Sequence, residues 1–132
     1  MRITADTTVL VRVIVADDPI QTALAQEQLA HADLVALPVV ALCEMAWTLS
    51  RAYKLKAAHI ALALRTLVSS YNVVTDRSAV DAGLAVLDAG GDFADGILAY
   101  QGQMLGGQSF VSFDKDAVSL IAAQGIDAEL MG

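Results

Sequence analysis

Apolar residues recur along this chain at two spacings. Short segments that read as strands are RIT just before Asp6, LVAL (34–37), NVVT (72–75), SFVSF (109–113) and IDAEL (126–130), of which LVAL is a continuous apolar run. Their length and branched composition are those of strands buried on both faces. Longer stretches space their apolar positions by three and four, the mark of one helix face. Residues 18–31 predict a helix, with Asp18 as N-cap and Pro19 in the first turn. Pro38 opens a second helical stretch, PVVALCEMAWTLSRAYKL. A third, AAHIALALRTLVSS, places Ile60, Leu64, Leu67 and Val68 on one face. Residues 77–89, about 94–105, and KDAVSLIAAQ complete the set.

Strands that alternate with helices of about ten residues imply βαβ units. The expected fold class is therefore α/β, with a central, mostly parallel sheet of four to five strands. No internal repeat, low-complexity tract or linker divides the chain, and its 132 residues suit a single domain spanning 1–132. Sheets of this kind take ligands beyond the C-terminal ends of their strands, near a switch in strand order. The residues that follow each apolar run are thus the first place to look for chemistry.

Composition narrows the class. With 56% hydrophobic residues and a mean hydropathy of +0.56, the chain has too much apolar surface to remain disordered. Arg12, Glu44 and Arg65 break the apolar stretches, so none reaches the roughly 18–20 residues of a membrane span. Asp6 and Arg12 also cut the N-terminal apolar region too short for a secretion signal. The single cysteine, Cys43, rules out an intramolecular disulfide. It fits a reducing, cytoplasmic setting and reads as a small core residue.

The net charge of −7 argues against a general nucleic-acid binder. Its distribution alters that picture. Met45 to Thr75 contains no Asp or Glu, yet it holds Arg51, Lys54, Lys56 and Arg65, half of the basic residues. An acidic chain can therefore still present one basic face.

The acids themselves are placed unevenly. Asp6 follows the first apolar run and Asp114 follows the fourth. Asp95 lies in the first turn of the helix before that fourth run, and Asp92 stands three residues earlier, after Gly90 and Gly91. Each alone reads as an ordinary cap or turn residue. Glu44 is harder to place, because Val40, Ala41, Trp47 and Thr48 are its helical neighbours and no Lys or Arg lies within a turn. A carboxylate on an apolar face must be protonated, paired from far along the chain, or bound to a cation. Carboxylates gathered in one place repel each other, and a divalent cation offsets that repulsion. Oxygen donors suit Mg²⁺ or Mn²⁺, whereas zinc favours Cys and His; Cys43, His31 and His59 are isolated. Such an ion can activate water for phosphodiester hydrolysis.

Four segments in order, ADTTVLVR (5–12), LCEMAW (42–47), DFADGILAY (92–100) and FVSFDKDAV (110–118), resemble the PIN domain, above all the VapC-type toxin ribonucleases. The resemblance covers essentially the whole chain and implies a three-layer α/β/α fold. It matches Asp6, Glu44, Asp95 and Asp114 to the family's catalytic, metal-holding acids. Asp92 matches an additional aspartate, for which N-cap and auxiliary ligand are both open. The first motif reads Asp6-Thr7-Thr8, where Asp-Thr-Asn or Asp-Ser-Ser is usual, and Ser112 stands where Thr is common. Thr7 and Ser112 are expected to orient carboxylates or water. The resemblance further implies Mg²⁺- or Mn²⁺-dependent cleavage of RNA, a VapB-type antitoxin as inhibitor, a homodimer, and no membrane.

On that reading Arg51, Lys54 and Lys56 would hold RNA phosphates. Trp47, Tyr53 and Tyr71 are weighed as base stackers against packing in the core or at an interface, and core or interface packing is the expectation. Two other enzyme classes fit less well. Haloacid dehalogenase-like phosphatases want a second Asp two residues after the first, where Thr8 stands. Receiver domains want an acidic pair at the end of the first strand, and neither class accounts for Glu44. A catalytically decayed PIN interaction module is disfavoured because all four acids are present.

Overall fold

The computed structural model describes residues 1–132. Five short strands and seven helices alternate along the chain. They form two compact units, Met1–Asp76 and Arg77–Gly132.

In the first unit, β1 (Arg2–Thr4), β2 (Leu34–Ala36) and β3 (Val73–Val74) make a parallel sheet in the order β1-β2-β3. Ile3 pairs with Val35, which in turn pairs with Val73. The spatial order follows the chain order, so this sheet contains no switch point. Parallel neighbours need crossovers. Helices α1 (Thr7–Val15) and α2 (Pro19–His31) supply the first, and α3 (Val39–Arg51) and α4 (Ala57–Val68) the second. Asp18 caps α2 as expected, accepting from the Gln21 amide at 3.1 Å, with Pro19 at the start. The α4 face of Ile60, Leu64, Leu67 and Val68 is buried, together with Ala61. Leu10, Val35, Leu42, Met45, Leu49 and Leu64 are sealed from solvent at the centre. Asn72, also buried, donates from Nδ2 to the carbonyls of Leu29 (2.8 Å) and Ala32 (3.0 Å), tying the start of β3 to the end of α2.

Helix α1 was not anticipated from the sequence. TTVLVRVIV is rich in β-branched residues, which lose side-chain freedom in a helix and favour strands. Packing against α2 and α3, with Leu10 and Val11 buried, overrides that preference.

The second unit holds α5 (Arg77–Asp88), α6 (Phe93–Met104), β4 (Phe110–Ser112), α7 (Lys115–Ala123) and β5 (Ala128–Leu130). β4 and β5 pair in parallel, Phe110 opposite Ala128. All five expected strands therefore form and every pairing is parallel, but hydrogen bonding divides them into groups of three and two. Val86, Ala99 and Ile121 form a core against which Phe110, Leu120, Ile126 and Ala128 pack. Helices α5 and α6 approach closely at Gly96, where an added Cβ would lie 2.4 Å from the Ala82 carbonyl oxygen and 2.7 Å from the Gly83 Cα. No helix of the chain is long and apolar enough to cross a membrane.

Candidate acidic active site

Asp6 stands where β1 gives way to α1. Its backbone is extended and it occupies the N-cap position, yet its side chain does not cap the helix. The carboxylate instead accepts from Thr8 Oγ1 at 2.8 Å. That bond, with help from the Thr7 and Thr8 amides, holds the Asp6 carboxyl below the usual aspartate range. Thr8 is the residue that sequence reasoning passed over. The available signal was an Asp followed two residues later by a hydroxyl at a helix start, a spacing that favours local side-chain hydrogen bonds.

Glu44 lies on α3, and Thr7 Oγ1 donates to its Oε1 over a long 3.4 Å. The hydroxyls of Thr7 and Thr8 thus reach Glu44 and Asp6, the two candidate acids of the first unit. The burial argument for Glu44, however, fails. Ala41, Leu42, Met45, Ala46 and Leu49 make up the buried side of α3, whereas Glu44 is exposed. Val40 and Trp47, which read as its apolar surroundings, are themselves 62% and 41% exposed. Helical spacing identifies a face without saying whether that face meets the core.

In the second unit, Asp92 is the N-cap of α6, and its side chain accepts from the Ala94 amide at 2.8 Å. Asp95 follows in the first turn of that helix and is half-buried. Asp114 is the N-cap of α7, accepting from the Ala117 amide at 3.1 Å, and its own amide donates to Ser112 Oγ at 2.9 Å. Ser112 therefore shapes the turn that presents Asp114. Burial, followed by the negative charges of Asp92 and Asp114, pushes the Asp95 carboxyl above the usual aspartate range.

No group of three or more His, Cys, Asp or Glu side chains is gathered into a ready metal-ligand set. The donor chemistry nevertheless fits a hard divalent cation. The donors are all carboxylate oxygens, and the repulsion felt at Asp95 is what such a charge would offset.

The basic residues lie together in the first unit. Arg51 ends α3, Lys54 sits in the turn that follows with a left-handed backbone (φ 58), and Lys56 is the N-cap of α4. The Arg51 guanidinium lies over the Trp47 ring, 5.6 Å from its centroid. Trp47 is 41% exposed and so does not lie in the core of the first unit. Tyr53 is engaged structurally, through a hydrogen bond with the Arg12 side chain, and Tyr71 is exposed.

Parallel strands joined by crossover helices define an α/β protein, with carboxylates at the starts of α1, α6 and α7. The sequence model of the PIN domain matches residues 3–122, and the chain belongs to the PIN-domain family. PIN domains are three-layer α/β/α folds and generally nucleases that use divalent metal ions. No curated protein matches the chain.

Thr8→Val is expected to return the Asp6 carboxyl toward its ordinary value. A lowered folded-state value contributes stability above the unfolded value of 3.8, and that stability is lost as pH falls through the folded value. The variant should therefore lose less of its stability on acidification than the parent. NMR titration of the Asp6 carboxyl checks this, and an unchanged midpoint would assign the shift to the backbone amides alone.

Proposed function

We propose that this protein is the toxin of a VapC-type toxin–antitoxin pair, a Mg²⁺- or Mn²⁺-dependent endoribonuclease restrained by a VapB-type antitoxin. Family membership supports a nuclease, and PIN domains occur often in toxin–antitoxin systems. The four ordered motifs support the narrower class. The observation that carries the reading is Asp95 in a PIN chain, a half-buried carboxyl raised chiefly by its burial and then by the charges of Asp92 and Asp114. Such an arrangement weakens a fold unless something positive binds there.

Asp6, Glu44, Asp95 and Asp114 are the residues we assign to hold the ion, with Asp92 kept mainly to capping α6. When bound, the ion supplies charge neutralisation and an activated water for attack on the phosphodiester. The chain's own groups prepare the donors. Thr8 holds the Asp6 carboxylate in place, Thr7 orients Glu44, and Ser112 fixes the turn before Asp114. A homodimer in the cytoplasm is the assembly we infer for such a toxin.

The test is RNA cleavage by the purified protein with Mn²⁺ or Mg²⁺ and its loss with a chelator, together with growth arrest on induction that the neighbouring small reading frame relieves. Absence of both activities from the unmodified chain would sink the reading. Loss of a residue that merely orients a metal ligand weakens affinity by about 10- to 100-fold, so Glu44→Gln should weaken Mn²⁺ binding by at least about tenfold. Calorimetry measures this, and an unchanged affinity removes Glu44 from the ligand set.

A further inference from the structure

Helix α3 carries a line of exposed side chains that begins at the candidate metal ligand Glu44 and runs on through residues the metal chemistry does not use. Glu44, Trp47 and Arg51 are spaced by three and four residues and all are exposed, while the opposite side of the helix is buried. Such spacing stacks them along one face, and seven residues of helix rise about 10 Å. The line runs from the candidate ligand Glu44 to Trp47 and then to Arg51, whose guanidinium lies over the indole. Lys54 and Lys56, both exposed, follow in the short connection between α3 and α4. Lys54 adopts a left-handed backbone (φ 58) in the turn after α3, where helix ends usually place glycine. A lysine kept there at a conformational cost points to a use for its charge. The segment from Met45 to Thr75 that supplies Arg51, Lys54 and Lys56 contains no Asp or Glu. Basic residues alone would make only a solvated face. A tryptophan 41% exposed beside an arginine adds what that face lacks, a flat surface on which a base can stack.

We propose that Trp47, Arg51, Lys54 and Lys56 form a platform for unpaired RNA, with a base on the Trp47–Arg51 pair and flanking phosphates on Lys54 and Lys56, leading the strand along α3 toward Glu44. The choice of RNA rests on the ribonuclease reading; the platform's geometry does not. Duplex RNA keeps its base faces internally stacked and presents none to Trp47, so the platform selects single strands.

Trp47 is the only tryptophan, so its fluorescence reports the platform directly. In the full chain carrying Asp95→Asn to prevent cleavage, a short unstructured RNA should quench it, and the same sequence as a duplex should not. Trp47→Ala should weaken single-strand binding by about 5- to 100-fold, and Trp47→Phe should restore most of it. Lys54→Gly should lower the slope of log affinity against log salt by about 0.7, one phosphate contact to a single strand, while the melting temperature holds or rises because glycine suits the left-handed turn. Single-strand binding without quenching, or Trp47→Ala changing oligomeric state at unchanged RNA affinity, overturns the platform and leaves the ribonuclease reading intact. Quenching and a normal salt slope in a chain whose unmodified form cleaves nothing supports the platform and rejects the ribonuclease reading.

Discussion

Asp95→Asn should lose RNA cleavage by about a hundredfold or more, and should melt at a higher temperature than the parent at pH 7. The loss follows from the role assigned to Asp95. A bound metal ion is worth several kcal/mol to a phosphodiester transition state, and about 1.4 kcal/mol corresponds to each tenfold in rate. The gain in stability follows from geometry. Burial and the charges of Asp92 and Asp114 raise the Asp95 carboxyl above its ordinary value of 3.8. A raised folded-state value means that the ionised form destabilises the fold. The favourable contribution is present below the unfolded value and is lost as pH rises through the folded one. Asparagine carries no charge to lose, so its advantage should be present at pH 7 and absent below 3.8. Melting curves at the two pH values and a cleavage assay measure both halves. Full cleavage removes Asp95 from the site, and a variant less stable at pH 7 contradicts the crowding of charges. Mn²⁺ should raise the parent's melting temperature more than the variant's, because the ion relieves in one what the substitution has already removed from the other.

The second large effect concerns the helix that presents Asp95. Gly96→Ala should destabilise the protein by about 1–3 kcal/mol, the usual cost of forcing a methyl into a packed core, and lower the melting temperature by several degrees. The Cβ would meet the Ala82 carbonyl oxygen and the Gly83 Cα, backbone atoms that cannot rotate away. Helix α6 would then shift against α5, carrying Asp95 with it, so cleavage should fall alongside stability. Gly102→Ala on the same helix should act in the opposite direction. Nothing lies within 4 Å of its added Cβ, and alanine is the better helix former by about 1 kcal/mol. Thermal denaturation of the two variants side by side decides the matter, and equal shifts of the same sign would show that contact with α5 is not what requires glycine at 96.

Much of the local structure was legible in the sequence. The five apolar runs all became strands and the three-and-four spacing marked the helices, because these periods are set by backbone geometry within each segment. The Asp18 cap and the buried face of α4 follow from the same local rules. The candidate acids stood out by type and position, since Asp6 and Asp114 each follow a strand-like run, Asp95 opens a helix, and Glu44 has apolar neighbours in sequence. Their roles were less legible. Asp92 and Asp95 are three residues apart and chemically identical, yet one caps a helix and the other is crowded by its neighbours.

What the sequence by itself determined was therefore the α/β alternation, the candidate acids and the acid-free basic segment. All of these reside in residue identity and short-range spacing. Only the tertiary structure made α1 helical against its β-branched composition, turned Glu44 and Trp47 outward, paired Thr8 with Asp6, and divided the parallel strands into three and two. It also separated Gly96, which must be small, from Gly102, which need not be. Each of these depends on what a side chain meets from far along the chain, and periodicity carries no information about the identity of that neighbour.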